Sequence, residues 1–124
     1  MKFFYIVIIV TVLSGLALFG LKQSRQDAPG LYEQFAQCLK DKGAVLYGAS
    51  WCPHCVAQKA DFGSSAHLLP YVECGTSGDE QAEECTDAQI TGYPTWIFPD
   101  GSRETGDQSF ETLAARTGCV LPKK

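Results

Sequence analysis

Trp51, Cys52, Pro53, His54, Cys55 stands just past a short apolar run, and two residues separate its cysteines. That spacing reads as a redox-active dithiol. Ala44, Val45, Leu46 and Tyr47 before it have the make-up of a buried strand, and Val56 to Phe62 after it can continue as a helix. Cys52 is thereby predicted where a strand hands over to a helix N-terminus. The unpaired amide groups and positive dipole end found there favour negative charge on sulfur, and the thiolate is the form that attacks disulfides.

The chain of 124 residues has room for one domain. A domain of this size can bury a core without staples, so six cysteines imply more than packing. A net charge of -4 with scattered basic residues gives no footprint for nucleic acid. No Gly-rich phosphate loop, carboxylate pair or serine nucleophile motif is present.

Residues 1–22 are read as a membrane anchor. No charge occurs from Phe3 to Leu21, and a helix over that run would be roughly 28 Å long, close to the ~30 Å hydrocarbon core. A cleaved signal sequence is the competing reading, but the run is longer than the usual apolar region and lacks a clear small-x-small site. Lys2 before the span and Lys22 and Arg25 after it slightly favour a cytoplasmic domain, whereas six cysteines suit an oxidising compartment. The cysteines carry the expectation: a single N-terminal helix with its domain outside the cytoplasm, in a periplasm, at a cell surface or in a lumen.

Residues 23–30 form a polar linker, and residues 31–121 form the domain. Leu31, Phe35, Cys38 and Leu39 make one helical face that ends near Gly43. Gly63, Ser64 and Ser65 break the pattern after the dithiol helix, and Pro70 opens a strand through Tyr71, Val72 and Cys74. Past the loop of Gly75 to Gly78, Asp79, Glu80, Glu83, Glu84 and Asp87 are placed at the front of a short helix, as a solvated face. Trp96, Ile97 and Phe98 form a strand joined through Pro99, Asp100 and Gly101 to a second strand near Arg103 and Glu104. Phe110, Leu113 and Ala114 line a last helix ending near Gly118, with Cys119 just beyond.

With Trp51, Cys52 and Cys55 after a strand and Gly92, Tyr93, Pro94, Thr95 ahead of a hairpin, the chain resembles the thioredoxin family over about Leu31 to Cys119. Within it, the cysteine layout and the stretches Tyr47 to Cys55, Glu84 to Trp96 and Thr112 to Cys119 are similar to the thioredoxin-like domain fused to some vitamin K epoxide reductase homologues. The resemblance implies an α/β fold, a central mixed sheet flanked by helices, and protein thiol-disulfide oxidoreductase activity. It also implies exchange with a quinone-linked membrane oxidoreductase, here a separate protein. No cofactor is called for, since the sulfurs carry the electrons. Cys52 would attack and Cys55 resolve, with Trp51, Pro53 and His54 tuning the pair. Pro94 would be cis and place the Tyr93 backbone to pair with an extended substrate segment. Leu46 stands where thioredoxins place a buried acid, so that proton relay does not carry over.

Pro53 and His54 match the dipeptide of strongly oxidising periplasmic disulfide donors. An imidazole near Cys52 stabilises the reduced form, which makes the disulfide a better oxidant. Potentials in such dithiols span roughly 150 mV, or ~7 kcal/mol for two electrons. An oxidase or isomerase is therefore preferred over a reductase.

In the resembling fused domains the corresponding cysteines pair as Cys38 with Cys119 and Cys74 with Cys85, whereas six cysteines alone allow 15 connectivities. Both pairs are read as structural, although a short exposed loop bond at Cys74 and Cys85 could relay electrons. Two non-enzymatic alternatives remain: a binding module on this scaffold, or zinc held by Cys52, Cys55 and two of Cys74, Cys85, His54 or His67. Without a second close ligand pair the zinc reading is weak. His67, Trp51 and Trp96 are individually read as packing residues.

Overall fold

The computed structural model describes Gly30 and residues 32–123; the expected membrane helix and most of the linker lie outside them. In chain order the elements are α1 (Glu33–Asp41), β1 (Val45–Gly48), α2 (Pro53–Asp61), a 3-10 helix (Gly63–Leu68), β2 (Tyr71–Glu73), α3 (Glu83–Asp87), β3 (Thr95–Ile97), β4 (Arg103–Thr105) and α4 (Phe110–Thr117). Among the described residues no helix is long and apolar enough to cross a membrane.

Strands order as β2, β1, β3, β4, with β1 parallel to β2 and antiparallel to β3, and β3 antiparallel to β4. This mixed sheet with flanking helices is consistent with an α/β thioredoxin-like fold. Period-two alternation separates its faces. Leu46 opposite Trp96 points into the main core with Phe35, Ala36 and Leu39 of α1, Phe62, Phe98 and Leu113 of α4. Tyr47, Val72 and Ile97 turn the other way, onto Cys74, Cys85 and Ile90. Phe62, ending α2, stacks on Phe35 at 6.1 Å and meets Phe110 at 4.8 Å, so one aromatic cluster ties the dithiol helix to α1 and α4.

The chain ends its elements with ordinary local chemistry. Asp100 Oδ1 accepts from Ser102 N at 2.9 Å, and Gly101 takes φ +79° to turn β3 into β4. Ser109 caps α4 by accepting from Thr112 N. Gly118 closes that helix in the left-handed region, φ +76°, and returns the chain so that Cys119 bonds Cys38 on α1.

Two local expectations are corrected. Gly63 to Ser65 do not simply end structure: Gly63 stops α2 at φ +54°, and a 3-10 helix then tucks Ser65 into the core. The acidic residues do not all front a helix either. Ala82 N donates to Cys74 O and Cys85 is bonded to Cys74, which pins α3 to five residues with only Glu83 and Glu84 in its first turn; Asp79 and Glu80 stay in the loop.

Candidate active site

β1 ends at Gly48, and a turn in which Cys52 N donates to Ala49 O brings the chain into α2. Cys52 is the N-cap, in extended conformation, and Pro53 occupies the first helical position, where an N–H would have no partner within the helix. The thiols Cys52 and Cys55 are both free. Cys52 is 6 % exposed and Cys55 1 %, so the first cysteine is the more accessible but is itself largely covered. The Cys52 thiol faces Tyr93 O at 3.7 Å, and Cys55 Sγ accepts from Ala49 N at 3.5 Å. Burial pushes the Cys55 thiol up to about 11, outweighing the Ala49 amide that favours its charged form. Cys55 therefore waits as a thiol behind Cys52.

Trp51, 67 % exposed, sets its indole edge-on against Tyr93 with centroids 5.9 Å apart. The Tyr93–Pro94 bond is cis and Pro94 is buried. Beside the pair runs an open groove of about 400 Å³ lined by Trp51, Cys74, Gly75, Asp79, Glu80 and Tyr93, among others. A broader hollow over α1 is lined by Gln34 and Cys38; Cys52 and Cys55 line neither space, and the groove belongs to the site through Trp51, the neighbour of Cys52, and Tyr93, whose carbonyl faces the Cys52 thiol.

Sequence reasoning named His54 but missed Asp107, Gln58 and Glu73. His54 Nδ1 lies 3.0 Å from Asp107 Oδ1, from the loop before α4. Gln58 is fully buried on α2: its Oε1 accepts from Trp96 Nε1 at 2.9 Å and Gln108 N at 2.7 Å, while its Nε2 donates to Gln108 O at 3.1 Å. A glutamine three residues after Cys55, on the helix's buried face, was the available signal for that clamp. Glu73 accepts from Ser50 N and Gly75 N, each at 2.9 Å, and from the Tyr71 hydroxyl at 2.9 Å. Partial desolvation opposes its charge, but these donors and the Lys59 cation prevail and hold the carboxyl below its usual range.

Gly48 is where the fold leaves space for the second thiol. A Cβ there would stand 2.8 Å from Cys55 Sγ and 3.0 Å from Tyr71 Cε2. Gly48→Ala is expected to destabilise the reduced protein by roughly 1–3 kcal/mol, as overpacking does. Urea unfolding measures it, and an unchanged midpoint would show that the strand yields.

The remaining cysteines form the bonds Cys38–Cys119 and Cys74–Cys85. Cys74 and Cys85 are both 0 % exposed, which corrects the picture of an exposed loop bond and withholds it from easy exchange. Bonded, they have no thiolates to offer zinc, and His67 is turned to Ser64 O at 2.8 Å. The zinc reading thereby loses Cys74 and Cys85.

No family model matches the chain. The chain is 42 % identical over 91 residues to the thiol-disulfide oxidoreductase LTO1 of Arabidopsis thaliana, covering 69 % of this chain and 24 % of that protein. It is 26 % identical over 107 residues to a mitochondrial thioredoxin domain-containing protein of Schizosaccharomyces pombe, covering 74 % of this chain and 30 % of the other. The chain thus spans a third or less of the length of these relatives. The sheet, the dithiol at a helix start and these likenesses support the thioredoxin-like class. More particularly, they support a protein thiol-disulfide oxidoreductase.

Proposed function

We propose that this chain is a membrane-tethered thiol-disulfide oxidoreductase acting on exported proteins outside the cytoplasm, with Cys52 as nucleophile and Cys55 as resolving thiol. The observation that carries this is the placement of Cys52 at the open end of α2, facing the Tyr93 carbonyl, with Cys55 buried directly behind. In the oxidising direction a substrate thiolate attacks Cys52 Sγ of the Cys52–Cys55 disulfide. That bond breaks, Cys55 leaves as thiolate and takes a proton, and a mixed disulfide forms. A second substrate thiolate then attacks the substrate sulfur, its disulfide closes, and two electrons remain in the dithiol. A separate quinone-linked membrane partner would remove them. The backbone of Tyr93 and Pro94 would hold an extended substrate segment, and Trp51 would cover it. The tether rests on the apolar run of residues 3–21, and the compartment on six cysteines, four of them in disulfides.

Pro53 and His54 support an oxidase. One observation favours the reductase alternative: Asp107 Oδ1 lies 3.0 Å from His54 Nδ1 and sets a carboxylate against the ring on which the oxidase reading relies. Both side chains are exposed, so the pair is worth at most about 1 kcal/mol, too little to offset a ~7 kcal/mol range. Equilibrating the full chain with glutathione buffers decides. A potential well above that of thioredoxin, toward about -120 mV, is expected, and one near about -270 mV would overturn the oxidase.

A further inference from the structure

The one ionisable residue of the interior strand β1, Tyr47, turns to the Cys74–Cys85 side of the sheet and away from the resolving thiol. Leu46 is apolar and fully buried, and Gly48 and Ala49 carry no polar side chain. The charged group that does face Cys55 comes from its own helix and from β2. Lys59 stands four residues after Cys55, on the same side of α2. Its Nζ lies 3.3 Å from the centre of the Tyr71 ring, a cation–π contact. The edge of that ring and Cys55 Sγ approach the same point at Gly48, so phenol and thiol share one wall. Tyr71 in turn is fastened by its hydroxyl to Glu73, which two backbone amides fix. The result is a cation held in place by an aromatic face, beside a thiol that must ionise to act.

Building on the exchange reading above, we propose that Lys59, held by Tyr71 and Glu73, is a positioning residue that favours the Cys55 thiolate when Cys55 resolves a mixed disulfide. In that step the Cys55 S–H bond breaks and its proton passes to buffer. Cys55 Sγ bonds Cys52 Sγ, the bond from Cys52 to the substrate sulfur breaks, and the electron pair leaves on the substrate thiolate. A cation beside Cys55 lowers the cost of the charged form that burial raises. The groups acting on Cys55 are Cys52 and Lys59 on α2, Tyr71 on β2 and Tyr93 before β3, while Glu73 stands behind Tyr71, bonded to its hydroxyl. Burial first, and then the negative charge of Glu73 and of the thiolates, pushes the Tyr71 phenol upward, which leaves it neutral and Lys59 as the positive charge at the site.

The test uses the full chain with Cys52 loaded as its mixed disulfide with thionitrobenzoate, and follows release of the coloured thiolate as Cys55 attacks. Lys59→Met is expected to slow release about tenfold at pH 7 and to move the midpoint of its pH profile up by about one unit, while Lys59→Arg restores both. Tyr71→Leu, which removes the ring under the ammonium, should follow Lys59→Met. Resolution by Lys59→Met with unaltered rate and pH midpoint would overturn the proposal. So would a slower rate with an unmoved pH midpoint and a lowered urea midpoint, which would assign Lys59 to packing. Failure of the unaltered chain to form or resolve the mixed disulfide would instead bring down the exchange reading, and this proposal with it.

Discussion

Replacing Cys52 by serine should abolish disulfide exchange, while replacing Cys55 by serine should fill the protein with stalled mixed disulfides. The two outcomes differ because the cysteines occupy different places at one helix start. Cys52 caps α2 and faces Tyr93 O, so it alone can meet an incoming sulfur. A serine hydroxyl is a weak nucleophile at neutral pH, and turnover should fall on the order of 10³-fold or more. Cys55 is 1 % exposed and reaches no substrate. Its part is intramolecular, with the advantage of an effective molarity that reaches about 10⁵ M in well-oriented systems. Removing it leaves Cys52 able to form the mixed disulfide and without its own thiol to expel the partner, so every substrate with no second thiol in reach stays bound. Non-reducing electrophoresis separates the cases: adducts with Cys55→Ser, none with Cys52→Ser. The reverse pattern would exchange the assigned roles. The trapped proteins also report the compartment, since exported substrates and a quinone-linked membrane protein fit the proposal, and an exclusively cytosolic set would overturn it.

The parts of this site legible in the sequence are those written within a few residues of each other. A four-residue apolar run followed by Cys52, Pro53 and Cys55 is enough to place a thiol at a helix N-terminus. Asp100 and Gly101 announce their turn, and Gly118 its helix end, because each residue type satisfies a local backbone demand. The support of the dithiol is of another kind. His54 meets Asp107 across 53 positions, Gln58 meets Gln108 across 50, and Ser50 meets Glu73 across 23. No period or turn signal connects such residues. Glu73 falls inside the strand expected through Tyr71, Val72 and Cys74, and Lys59 inside the helix expected over Val56 to Phe62, and neither stands out there; only the pairing of β2 with β1 brings them to the dithiol. The acidic loop shows the converse error. Dipole reasoning rightly favours acids at a helix front, but the Cys74–Cys85 bond decides where α3 starts and leaves Asp79 and Glu80 outside it.

The second large effect concerns stability. The bond Cys38–Cys119 links residues 81 positions apart and so encloses most of the described domain. In the chain-entropy model a loop of that length contributes about 4.5 kcal/mol, against ~3 kcal/mol for Cys74–Cys85 with a separation of 11. A domain of this size is stable by about 5–15 kcal/mol, so Cys38→Ala with Cys119→Ala should remove about 30 % or more of the total. Packing adds to the entropy in one case more than the other. Cys74 and Cys85 are fully buried with Ile90 between Tyr47, Val72 and Ile97, whereas Cys38 is only half-buried. Loss of the shorter bond therefore costs more than its loop length alone predicts, and the two pairs should differ by less than about 1.5 kcal/mol. The distinction lies in what each loss does to the site. Without Cys38–Cys119, α1 and the start of α4 remain joined through Phe35, Phe62 and Phe110, and the dithiol keeps its surroundings. Without Cys74–Cys85, the loop that carries Gly75 beneath Trp51 loses its anchor, and with it one of the two amides on Glu73. Thermal unfolding of each double variant, read beside its rate of thiol exchange, checks both statements. The expected result is a fall in Tm of roughly 20 °C or more for the long bond at nearly unchanged exchange below the transition. For the short bond, a smaller or equal fall should come with slower exchange. A long-bond variant that melts within a few degrees of the unaltered chain would show that the core alone, not the cross-link, holds the two ends of this domain together.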